Sequence, residues 1–261
     1  EFRRVLFRSF YVVFSKDIPL KEAILKLGKV ALFALIGVGL AAFWLLPVFS
    51  ALLESKASAG STFAWSWNPV NDLVAMPQKF ILGSFGEKEW GDSKALPQLF
   101  IGGLGLFGVC TFFAKKEITL RKKLAATVVL LVLLLSFSIQ GFDQIWHMGQ
   151  RPVGFYFRNS WVANSFMLVL ASESLMQWKD EFRLNEFLVA IFGFGSILIL
   201  STLRSLQYVE TSQKILAFII WVGIVLIFFL SNAEINRRLQ LATGTVIFEM
   251  MMSTFVDRKS T

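Results

Sequence analysis

The sequence predicts an all-α protein that crosses a lipid bilayer several times. Apolar residues make up 55% of the 261 positions, and Phe alone occurs 28 times. Mean hydropathy is +0.62. The apolar residues fall in long blocks that a soluble domain of this size does not carry. Charged residues cluster between the blocks, which is the spacing of a polytopic membrane chain.

Crossing the hydrocarbon core takes about 20 apolar residues, and backbone groups in lipid must be satisfied within the segment, so the spans are helices. About seven segments qualify in chain order: 30–53, 98–114, 124–140, 161–178, 187–203, 215–230 and 239–256. Several are nearer 17 residues than 20. Pro47, in "WLLPVF", marks a kink or helix end near the close of the first segment.

Lys and Arg set the orientation. With the first span running outward, the inside segments are 15–29, 115–123, 179–186 and 231–238. Their basic residues are more than twice as dense as in the outside segments 54–97, 141–160, 204–214 and 257–261, led by "KKEITLRKK". The positive-inside rule makes the first set cytoplasmic. The net charge of +8 is thus mostly a topology signal. A nucleic-acid partner would require a basic face on a soluble element, and the sequence holds none.

The ends read differently from the middle. "EFRRVLFRS" back-translates to a string that resembles a common sequencing-library adapter read in frame, so residues 1–9 are excluded from fold reasoning. On that reading the chain is an internal fragment of a longer gene. Residues 10–256 form the transmembrane domain with its two long outer loops, and 257–261 are a truncated tail.

The first outer loop, 54–97, is too long for a simple connection. It holds Trp65, Trp67 and Trp90, either as one wall of a site for an amphiphilic substrate or as an aromatic belt at the headgroups. Its centre, "NPVNDLVAMPQKFILGS", has apolar Val70, Leu73, Val74, Phe80 and Ile81 and suggests a short amphipathic helix along the membrane surface. The second outer loop contains "QIWHMGQRPVGFYFRNSW", with the chain's one histidine, His147, and with Arg151 and Arg158. Arg158 stands where a helix leaves the outer interface, and a guanidinium there offers a two-pronged grip on phosphate. His147 adds a hydrogen-bond donor or a proton shuttle, and Arg151 adds positive field. Pro152 and Gly154 shape the turn. The bland reading is a set of interfacial side chains reaching for headgroups.

Two acids lie within spans. Glu249, in "VIFEMMM", sits near mid-span, where an unpaired charge is expensive, so it should face other helices. Glu173 lies nearer the cytoplasmic end. The lone Cys110 forms no internal disulfide and reads as a small apolar residue. No Walker loop, HExxH, GxSxG or cysteine pair is present. One histidine builds no multi-histidine metal site, so no metal is expected, and no cofactor can be named.

In order along the chain, "LLPVFSALLESKAS", "ILGSFG", "LPQLFIGGLGL" and "IWHMGQRPVGFYFRNSW" resemble the bacterial YfhO membrane protein family over most of 40–178. The family tract falls on Trp146, His147, Gln150, Pro152, Phe155, Phe157, Arg158 and Ser160. Met148 stands where the family usually has Gly, and Tyr156 where it usually has Pro. The resemblance implies a GT-C type glycosyltransferase in the bacterial cytoplasmic membrane. Its donor would be a polyprenyl-phosphate sugar and its acceptor an envelope polymer such as lipoteichoic acid. GT-C enzymes usually carry the catalytic carboxylate in the first outer loop, which would precede residue 10, so the catalytic residue is unknown here. Asp72, Glu87, Glu89 and Asp92 have no motif supporting that role. A transporter or flippase of a lipid-linked sugar, which should show inverted repeats, and a non-catalytic membrane scaffold are the alternatives.

Overall fold

The computed structural model of the chain describes residues 19–54, 65–84, 96–147, 156–157, 159–177, 183–203, 209–230 and 235–260. The adapter-like residues 1–9 lie outside them, as do Arg151, Pro152, Arg158, Trp90, Glu87, Glu89 and Asp92. Among the described residues there are eight α-helices and no strand. They are α1 (Leu20–Glu54), α2 (Gly103–Ala114), α3 (Leu120–Ser138), α4 (Gln140–Trp146), α5 (Ser160–Met176), α6 (Leu184–Leu203), α7 (Thr211–Val225) and α8 (Ile235–Ser260). A π-helical turn, Leu226–Leu230, prolongs α7.

The chain is an all-α membrane protein. Every helix except the short α4, which shares only Gln140 with one, falls largely on one of the apolar segments. Three stretches are long and apolar enough to cross a bilayer: Lys21–Val48, Leu184–Leu203 and Thr211–Phe229. The others fall short for visible reasons. α2 has 12 residues and α5 has 17, and the first turn of α3 carries Arg121, Lys122 and Lys123. α1 does not end at Pro47 but runs on to Glu54, and the Ser50 hydroxyl donates to the Pro47 carbonyl at 2.9 Å. α8 continues through residues 257–260, so these are helical.

The 70–81 segment differs from the expected surface helix. It forms a 3-10 turn, Met76–Phe80, with Pro77 in its first turn, and Ile81 and Leu82 are buried in an apolar core. Pro77 has no N–H to extend an α-helical ladder. Lys79, fully buried, donates from Nζ to the Ser84 carbonyl at 2.5 Å. That contact keeps a polar loop inside the fold without stranding its ammonium.

The chain divides into two units, Glu1–Val70 with Thr119–Phe155 and Asn71–Ile118 with Tyr156–Thr261. In the first, the Thr119 hydroxyl caps α3 by accepting from the Lys122 N–H at 3.4 Å. α3 ends at Ser138 and α4 follows at once. Residues 66–70 lie along this junction. Val70 N–H donates to Ser138 O at 2.8 Å, Gln140 N–H to Asn68 O at 3.1 Å, and Gly141 N–H to Ser66 O at 2.9 Å.

In the second unit α2 is the hub, packed against α5, α6, α7 and α8. Its glycines make the close approaches. A Cβ on Gly108 would stand 2.7 Å from Ala171 Cβ and 2.8 Å from Ala171 Cα, so the α2 and α5 backbones meet with no room for a side chain. Thr111 Oγ and Ser174 Oγ share a hydrogen bond of 2.9 Å across the same interface. Phe107 packs on Phe228 at 5.0 Å, and Trp221 stacks on Phe194 at 4.6 Å.

Gly108→Val should therefore force α2 off α5. The expected loss is about 1–3 kcal/mol of stability, read as a lower unfolding temperature of the detergent-solubilised protein. An unchanged temperature would show that the approach at Gly108 has slack.

Candidate functional site

His147 closes α4, whose seven residues put Asp143 one turn before it. Its Nδ1 lies 2.9 Å from the Asp143 carbonyl oxygen and 3.6 Å from Asp143 Oδ1, with the imidazole 14% exposed. A carbonyl only accepts, so Nδ1 carries the proton, and the neutral ring presents Nε2 as an acceptor. The neutral ring has used its N–H within α4, and only the imidazolium can donate outward. The Asp-x-x-x-His spacing, one helical turn, was the signal that could have singled out Asp143.

The start of α5 is built on an unusual backbone. Phe157, 3% exposed, has φ of 57°, the left-handed region that bulky residues rarely adopt. The Ser160 N–H donates to the Phe157 carbonyl at 2.9 Å. Asn159 is 5% exposed, and neither atom of its carboxamide has a hydrogen-bond partner among the described residues. Buried polar atoms are normally satisfied, and exceptions point to strain or to a missing ligand. Arg158 and Arg151 themselves lie outside the described residues.

Two buried charges sit at the ends of α2. Glu249, on α8 and 5% exposed, accepts the Gly103 N–H on both carboxylate oxygens at 2.9 and 2.8 Å. The carboxylate thus caps the positive end of α2. Gly102, with φ of 77°, makes room, since a Cβ there would stand 3.2 Å from Glu249 Oε2. At the other end Lys115, 2% exposed, meets Glu186 Oε2 of α6 at 3.3 Å and the Gln177 carbonyl at 3.4 Å. Arg183 pairs with Glu117 at 2.6 Å beside it. These pairs border an open cleft of about 640 Å³. Their neat matching of sign makes this cluster a lock between α2 and α6 rather than a ligand site. Glu173 is half-buried on α5, and Asp72 Oδ1 is engaged in a local turn, accepting the Val74 N–H at 2.9 Å. Among the described residues no group of three or more His, Cys, Asp or Glu could hold a metal.

A helical membrane protein with a cationic and aromatic tract between two helices is the class these features define. The chain belongs to the family described as bacterial membrane protein YfhO, whose profile matches residues 3–260. No curated protein and no solved structure matches it.

Glu249→Ala leaves the Gly103 N–H without its acceptor in an apolar setting and should cost about 1–3 kcal/mol. Glu249→Gln keeps a carbonyl oxygen in place and should retain most of the stability. Thermal unfolding of the two variants in detergent checks the order. Equal stability of Ala and Gln variants would contradict the capping role.

Proposed function

We propose that this chain is part of a GT-C type glycosyltransferase that moves a sugar from a polyprenyl-phosphate donor to an envelope polymer on the outer face of the bacterial cytoplasmic membrane. Family membership supports the membrane setting. The observation that supports the site reading is the start of α5, where the sequence neighbours of Arg158 are Phe157, at a φ of 57°, and Asn159, whose buried carboxamide has no hydrogen-bond partner among the described residues. Backbone strain of this kind concentrates at ligand clamps. Arg158 is the residue proposed to grip the lipid phosphate; Arg151 of the same sequence tract adds positive field, and His147 is the proposed second donor or proton shuttle. Membrane lipid, the lipid-linked donor and the polymer acceptor are the proposed partners.

The chemistry suits a lipid-borne leaving group. As the sugar–phosphate bond breaks, negative charge grows on the departing phosphate oxygens, and a fixed guanidinium stabilises it most at that moment. No nucleotide loop is needed, because the leaving group is already in the membrane. A carboxylate must take the proton of the acceptor hydroxyl, and none in this chain is assigned to that step.

Arg158→Lys keeps the charge and loses the two-pronged contact, worth roughly 1.5–3 kcal/mol. In cells carrying the full-length gene, transfer should fall on the order of tenfold to a hundredfold at equal protein abundance. Normal envelope glycosylation by Arg158→Ala would reduce Arg158 to an interfacial anchor and remove the reading.

A further inference from the structure

We propose that Trp65 and Trp67, braced by Phe142, form a stacking platform for a pyranose ring of the substrate. The two indoles meet edge to face at 5.3 Å, and Phe142 of α4 touches them at 5.1 and 6.1 Å. Trp67 is 67% exposed and Trp65 44% exposed. One face of Trp65 lies on the backbone of Gly141, where an added Cβ would stand 2.8 Å from the indole ring. The segment that carries both indoles is pinned to the α3–α4 junction by the backbone hydrogen bonds from Val70, Gln140 and Gly141. The backbone bonds hold the segment in place, and the edge-to-face contacts with Phe142 and with each other favour one arrangement of the two indoles.

That fixation decides between two occupants. A tryptophan that anchors a loop at the headgroups works as a single amphipathic side chain and needs no set orientation. A platform that stacks a ring needs its faces held before the ligand arrives, because ordering them on binding would consume affinity. A pyranose offers the matching surface, with a patch of C–H groups for the indole face and hydroxyls around its edge. The rim of the platform is polar to suit. The Asn68 side chain is exposed and Ser66 is half-buried beside it, its hydroxyl accepting the Asn68 N–H at 3.1 Å.

The proposal takes its ligand class from the sugar-transfer reading, but its test reads binding without transfer. The full-length protein in nanodiscs is mixed with cellotriose, maltotriose or chitotriose, and saturation-transfer NMR records contact with the sugar C–H protons. At least one trisaccharide should give a signal concentrated on one ring face. Trp67→Ala should weaken that binding roughly five- to tenfold, with Trp67→Tyr intermediate. Arg158→Ala, which probes the phosphate contact, should leave it intact, so the two readings fail separately. Silence of all three trisaccharides, or equal binding by Trp67→Ala, would overturn the platform. So would strong quenching of Trp67 by chain-brominated phosphatidylcholine, taken as the difference between native protein and Trp67→Phe, because it would place the ring among acyl chains.

Discussion

A short helix with a buried ionisable side chain at each end organises the larger unit of this fold. α2 has 12 residues, about 18 Å of helix, which is well short of the ~30 Å hydrocarbon core. Its unsatisfied terminal groups must be met by protein. The carboxylate of Glu249 meets the N-terminal end through Gly103, and the ammonium of Lys115 stands at the C-terminal end facing Glu186. Both signs follow the helix dipole. A buried ion pair is weak evidence of net stability, but removing one partner is costly, so each end of α2 is tied to one partner helix, α8 at the start and α6 at the finish.

Glycine makes that arrangement sterically feasible. Gly102 and Gly103 admit the Glu249 carboxylate, Gly105 sits against Leu168, and Gly108 lets the α5 backbone come within contact distance. From the other side, Gly193 of α6 leaves space for Cys110 of α2, whose sulfur would stand 2.7 Å from an added Cβ. In lipid there is no hydrophobic drive between helices, so such close backbone contacts and the Thr111–Ser174 hydrogen bond carry the association.

Much of the helix pattern was legible in the sequence because apolar blocks leave a strong periodic trace. The segments 187–203 and 161–178 fall close to α6 and α5, and 124–140 close to α3. Details that depend on long-range partners were not legible. The acceptor for the Gly103 N–H lies 146 residues away, and no local pattern marks it. The 3-10 turn at Met76–Phe80 was misread because its apolar residues suited a surface helix equally well, whereas burial of Lys79 against Ser84 decided the outcome. At the site, His147 and the aromatic residues stood out by type. The tautomer of His147 depends on a carbonyl that periodicity does not reveal, and Arg158 lies outside the described residues.

The central claim is that the α3–α4 junction, with Trp67 and His147, faces the outside, while the basic start of α3 faces the cytoplasm. Single cysteines at Asn68 and Thr119, both exposed, test it in the full-length protein with a membrane-impermeant maleimide on intact cells. The account predicts labelling at position 68 from outside and at position 119 only after the membrane is permeabilised. Labelling at 119 in intact cells with 68 protected would contradict it.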